Sequence, residues 1–171
     1  MNINDLEYRM YGLVPYNLSD IQKGIQFGHA VVEYFLDNPM DSDVTDKLGK
    51  WSSKDKTFII LNGGTTNDTI YQDLPKGTLN QHELKLLANV PEMPISRFCE
   101  PDLGGQLTAI CFLVDERVWN QQKYPDFEYC DLINDSYESQ EFRWKQQFSS
   151  DEKEANKIIW LRYFLNQFKL A

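Results

Sequence analysis

Gln22, Gln26, His29 and Glu33 follow one another at steps of four, three and four residues, the spacing that lines side chains along one flank of a helix. Two carboxamides, an imidazole and a carboxylate in one row can hydrogen-bond a ligand or hand on a proton. The same row also suits the solvated rim of a helix whose histidine is simply hydrogen-bonded, so both readings stay open. A second group of reactive types lies at residues 100–106, EPDLGGQ. There a sharp Pro and Gly-Gly turn bears two carboxylates and can hold one of them near a sheet edge, or can be a hairpin loop with solvated acids. A third lies at residues 62–68, NGGTTND, where the amides of Gly63 and Gly64, beside Asn62, could receive a phosphate. It lacks the lysine and the spacing of a nucleotide-triphosphate loop, so an ordinary turn is the competing reading.

The elements that must position these groups are legible in the pattern. Residues 18–36 predict a central helix: Ser19 supplies the capping oxygen, and Ile21, Ile25, Gly28, Val32, Phe35 and Leu36 recur as one apolar stripe for a sheet to cover. Pro39 is expected to end it. Residues 8–16 read as a first strand and 56–61 as a buried second one, with a loop or short helix around Trp51 between them. Residues 78–90 predict a helix capped by Thr78 or Asn80, with Leu84, Leu87 and Ala88 facing inward and Pro91 and Pro94 closing it. Residues 95–100 and 107–114 are two further strands. The order gives an α/β fold, a three-layer sandwich with a small mixed four-stranded sheet and helices on both faces.

The texture changes at residue 115. Residues 115–148 hold eight acidic and four basic residues and many aromatics, a composition that packs on something rather than staying disordered. Ser149 with Glu152 predicts a capping box for a closing helix carrying Ile158, Leu161, Leu165 and Phe168 at helical spacing. Trp160 and Phe164 give it a second apolar side, for the core or for a second subunit in a homo-oligomer. Two regions follow: an α/β domain over 1–114 and an acidic, aromatic-rich C-terminal helical extension over 115–171.

Composition narrows the function. The 171 residues are 42% hydrophobic and 25% charged, enough for one sizeable core. With a formal charge of -9, the chain disfavours a long nucleic-acid footprint, since phosphate neutralisation needs a basic surface. There is no apolar run near 18 residues and residues 1–9 are polar, which predicts neither a membrane span nor a secretory signal and points to the cytoplasm. Cys99, Cys111 and Cys130 lack paired spacing, so neither a disulfide nor a metal site is expected, and no cofactor is called for.

With these stretches in hand, the chain resembles the archaeal and eukaryotic type of peptidyl-tRNA hydrolase over about residues 9–114. The resemblance rests on the first strand followed by QxxHAxxE (Gln26, His29, Ala30, Glu33), on Trp51 before the second strand, and on EPDLGGQLTAI at 100–110. Compact relatives with a similar HAVxE helix and EPD-Leu/Ile-G turn occur in bacteria and phages. The resemblance implies a catalytic carboxylate at Asp102 and a hydroxyl near it at Thr108, in imperfect register. It also implies a lysine seven residues before the histidine, where this sequence has Gln22; Lys23 lies one step along, about 100° around the helix. Losing such a cation removes transition-state stabilisation of about 3 kcal/mol.

Three functions follow. In the first, a small nucleotide-like or adenosine-containing ligand binds in the cleft between helix and turn, held by Gln22, Gln26, His29, Glu33, Asn62, Gly63, Gly64, Gly104, Gln106 and Thr108. In a phage relative such a pocket would sequester a host nucleotide signal as a counter-defence factor. In the second, the cleft is an esterase for peptidyl-tRNA or an aminoacyl ester at a tRNA end: Asp102 orients water, His29 assists proton transfer and Lys23 replaces the lost cation. In the third, the acidic aromatic segment within residues 115–148 engages and inhibits a host protein.

Overall fold

The computed structural model describes residues 6–38, 42–65 and 78–171. Pro39 and residues 66–68 of the NGGTTND turn lie outside them. In chain order the elements are β1 (Tyr8–Val14), α1 (Asp20–Asp37), α2 (Ser42–Lys50), a π-helical turn (Trp51–Asp55), β2 (Thr57–Asn62), α3 (Leu79–Asn89), β3 (Ser96–Glu100), β4 (Gln106–Asp115), α4 (Glu116–Trp119), α5 (Tyr137–Gln146) and α6 (Glu152–Leu165). The fold is mixed α/β, as expected. Its four strands run in the order β2-β1-β4-β3, with β1 parallel to β2 and β3 antiparallel to β4.

The chain divides into two compact units, one formed by Met1–Val114 with Phe168–Ala171 and the other by Asp115–Gln167. In the first, the last residues return to the sheet: Asn62 N donates to Lys169 O and Ala171 N to Ile60 O, which covers the open edge of β2. On one face of the sheet, Met10, Val14, Ala109 and Cys111 meet Phe27, Ala30, Val31 and Tyr34 of α1 together with Leu48 and Trp51. Each large side chain so buried stabilises by about 2 kcal/mol. Gly12 makes that contact possible, because a Cβ there would lie 2.2 Å from the Phe27 ring. On the other face Leu79, at the start of α3, comes against Gly63 and Leu13.

The inward face of α1 corrects the sequence reading. The buried residues are Gln26, Phe27, Ala30, Val31 and Tyr34, whereas Ile21 is 78% exposed, Val32 57% and Leu36 65%, with Ile25 and Phe35 exposed as well. The helix carries apolar residues on two opposite sides, and the sheet takes the aromatic and alanine side because Gly12 leaves room for a ring. α3 is corrected in the same way: Leu79, His82 and Leu86 face inward, while Leu84, Leu87 and Ala88 are exposed. Ser19 does cap α1, and Thr78 caps α3.

The second unit is organised around two buried arginines. Arg162, 1% exposed, donates to Tyr124 O, to Val118 O at 3.4 Å and to Asp126 Oδ1 at 3.1 Å, and lies 5.2 Å from the Phe148 ring centroid. Arg117 grips both oxygens of Asp115 at 2.9 and 2.8 Å and donates to Phe148 O at 2.7 Å. Burial opposes the Arg117 charge, but the hydrogen bonds and charges of Asp115 and Glu154 outweigh it and hold its pKa above the ordinary value. The closing helix begins later than Ser149 with Glu152 predicted: Asp151 is the cap, accepting from Lys153 N, and Ser149 instead donates to Glu154 Oε2 at 2.5 Å. Phe168 lies beyond that helix, in the first unit, edge-on to His82.

Candidate functional site

α1 and the β3–β4 turn meet through one polar knot. Gln26, buried in α1, donates from Nε2 to Glu100 Oε2 at 2.6 Å and accepts from Thr108 Oγ1 at 2.5 Å. Thr108 reaches α1 because the register slips between Phe98 and Cys99: Phe98 pairs with Ala109 and Cys99 with Leu107. Thr108 is therefore the extra residue of a bulge, which re-aims its hydroxyl. Glu100 closes the turn, accepting the Asp102 amide at Oε1 (3.4 Å) and the Gly105 amide at its carbonyl (3.0 Å). Gly104 and Gly105 take positive φ values of 69° and 78°, a conformation that favours glycine.

Around this knot the predicted residues divide. His29 is exposed and stacks on Phe98 with ring centroids 4.5 Å apart. Asp102 is exposed on the turn, Gln106 half-buried beside it, and Glu33 half-buried one turn beyond His29. Gln22 closes the start of α1: its Oε1 accepts from Ser19 N at 3.2 Å while Gln22 N donates to Ser19 Oγ at 3.3 Å, a reciprocal capping box. Lys23 pairs with Asp20 at 3.2 Å. Gln22, at the place of the expected lysine, and Lys23, proposed to replace it, are thus both engaged at the helix start.

Asn62, Gly63 and Gly64 lie apart from the knot, at the end of β2. The Gly63 amide donates to Val14 O at 2.8 Å and the Gly64 amide to Asn62 Oδ1 at 3.1 Å. Phosphate reception by these amides, one of the two readings the sequence left open, would first have to break both bonds. The turn serves the sheet: Tyr16 N in turn donates to Gly64 O at 2.8 Å.

Two features escaped the pattern. One is the pairing of His29 with Phe98, which helical spacing could not give because it joins a helix to a strand 69 residues on. The other is an open pocket of about 410 Å³ lined by Gly24, Phe27, Gly28, Val31, Phe58 and Ile60. The bare backbone at Gly24 and Gly28, with nothing within 4 Å of an added Cβ, was the available signal.

No protein-family model matches this sequence, and no curated protein matches it. Among the described residues no helix is long and apolar enough to cross a membrane.

Proposed function

We propose that the chain acts by binding a small nucleotide-like ligand at the His29 flank of α1 rather than by hydrolysing an ester. The observation that carries this reading is the use of Gln22 and Lys23: one closes the capping box and the other pairs with Asp20. An ester hydrolase of the kind the sequence resembles needs a cation beside its histidine to stabilise the developing charge. What the flank offers instead is recognition. The stacked His29–Phe98 pair presents a π surface to a flat ring. Glu100, Asp102 and Glu33 accept hydrogen bonds from amino and hydroxyl groups, and the turn at Gly104 and Gly105 lets a ligand approach the backbone without meeting a Cβ. This acidic rim suits the base and sugar of a nucleoside better than a phosphate.

Titration calorimetry of the full chain against nucleosides, nucleotides and dinucleotides tests the reading, run beside a peptidyl-tRNA hydrolysis assay. The expected result is saturable binding by at least one adenosine-containing compound, weakened at least tenfold in His29→Ala, with no ester turnover. Turnover that disappears in Asp102→Asn would overturn it and establish the esterase.

A further inference from the structure

The outward side of α1 carries a second pattern that the proposed ligand flank does not use. Ile21, Ile25, Gly28, Val32 and Phe35 recur at steps of four, three, four and three, the 3.5-residue repeat of a helix seam that expects a partner helix. All four large members are exposed, and so are Leu36 beside them and Phe58 of β2 at the mouth of the pocket. A large apolar side chain left about half open exposes about 100 Å². Six of them offer on the order of 600 Å², at the top of the range for the largest patch on a monomer and near the ~800 Å² per partner of a stable interface.

We infer that this face is where a second copy of the chain docks, with the two α1 helices antiparallel about a two-fold axis at Gly28. Under that operation Ile21 and Phe35 exchange places, and Ile25 meets the pocket-lining Val31 of the other copy. Gly24 and Val32 lie four residues on either side of Gly28, and Ile21 and Phe35 seven. Each Val32 therefore faces the bare backbone of the other copy's Gly24, a knob over a hole, and the ends pair Ile21 with Phe35. An isologous contact needs a surface that fits itself, and Val32 of the stripe against Gly24 beside it sets large against small. The pocket lined by Gly24, Gly28 and Phe58 is the hole the partner's side chain fills.

Charge bears on the choice of occupant. The stripe itself has no ionisable residue, so the repulsion between two chains of charge -9 acts around the seam and not across it. An interfacial membrane helix instead carries lysines and arginines on its polar face; α1 has Asp20, Glu33 and Asp37 against Lys23 alone. Screening the repulsion with salt should tighten the dimer.

Sedimentation equilibrium of the full chain tests the inference. The wild type should weigh twice 20.1 kDa at micromolar concentration, with a dissociation constant that falls as sodium chloride rises from about 50 to about 500 mM. Gly24→Leu fills the hole where the isolated chain has open space, and Val32→Glu places a charge at an exposed position. Each should keep the wild-type circular dichroism and raise the dissociation constant at least tenfold. Leu132→Glu, at a 95% exposed position of the other unit, should change nothing. With Cys99 and Cys130 replaced by serine, Gly24→Cys chains mixed with Val32→Cys chains should cross-link to each other and not to themselves. A wild type that stays monomeric, a monomer that sediments with phosphatidylglycerol vesicles, or a dimer indifferent to Gly24→Leu and Val32→Glu would each overturn the inference. Loss of nucleoside binding leaves these outcomes unchanged, so the two proposals fail separately.

Discussion

Gln26 Nε2 stands 2.6 Å from Glu100 Oε2, joining the middle of α1 to the β3–β4 turn across 74 residues of sequence. The bond fixes the carboxamide so that its oxygen faces Thr108 Oγ1, and one buried side chain thereby satisfies two partners. Gln26→Leu keeps the volume and removes both bonds, leaving Thr108 Oγ1 only its weaker contact to Phe98 O at 3.3 Å. The expected loss is about 2 kcal/mol in urea denaturation, the sum of two lost hydrogen bonds. In a double-mutant cycle, Thr108→Val added to Gln26→Leu should cost clearly less than the sum of the two changes. Strict additivity would mean the knot is not a coupled unit.

Gly12 and Phe27 make a second checkable pair. A methyl group at Gly12 would lie 2.2 Å from two ring carbons of Phe27, and the ring also packs edge-on against Phe58, with centroids 5.3 Å apart. Gly12→Ala should therefore destabilise by about 2 kcal/mol through overpacking, read as a drop in the urea midpoint. Phe27→Leu added to Gly12→Ala should recover part of that loss, since the methyl then has space. A Gly12→Ala chain as stable as wild type would show that the ring can swing aside without cost.

The same pair explains what could be read from the sequence and what could not. Ser19 and the helical repeat announce α1, and the strand and helix order announces a mixed α/β sheet, because caps and hydrophobic period are local properties. Which side of α1 is buried is not local. The branched residues Ile21, Ile25 and Val32 make the stronger-looking stripe, yet Phe27, Ala30 and Tyr34 are inside because a glycine on a different element accepts an aromatic ring. The knot escaped for a related reason: Thr108 reaches Gln26 only through a bulge whose existence depends on the pairing of β3 with β4. Arg117 and Arg162 look like surface residues in the sequence, and only the backbone carbonyls gathered from separate segments make their burial possible.

Arg162 gives the corresponding prediction for the second unit. Burial lowers its pKa and the Asp126 charge offsets part of that, while its guanidinium feeds two backbone carbonyls besides. Arg162→Met fills the space but leaves those carbonyls without their donor. We expect about 3 kcal/mol of destabilisation, in the range seen when one partner of a buried polar cluster is removed. The readout is amide hydrogen exchange, where protection should fall throughout α4 and α6 and remain in the β-sheet. Uniform loss of protection across the whole chain would show that the two units unfold as one.

His82 supplies the pH dependence. It is 7% exposed on the inward side of α3, and burial, helped by the charge of Lys85, pulls its pKa down to about 4 from an ordinary 6.5. Between those values the unfolded chain binds more protons than the folded one, so stability rises with pH. The contribution is complete above about 6.5 and is lost as pH falls through the interval toward 4. At 1.36 kcal/mol per unit, the change amounts to at most about 3 kcal/mol. Urea midpoints measured from pH 4 to pH 7 should follow this slope in the wild type, and His82→Leu should remove most of it, because a leucine against Phe168 has no proton to take up. If the slope survives in His82→Leu, the acid sensitivity belongs to other titratable groups, and the buried imidazole is not its source.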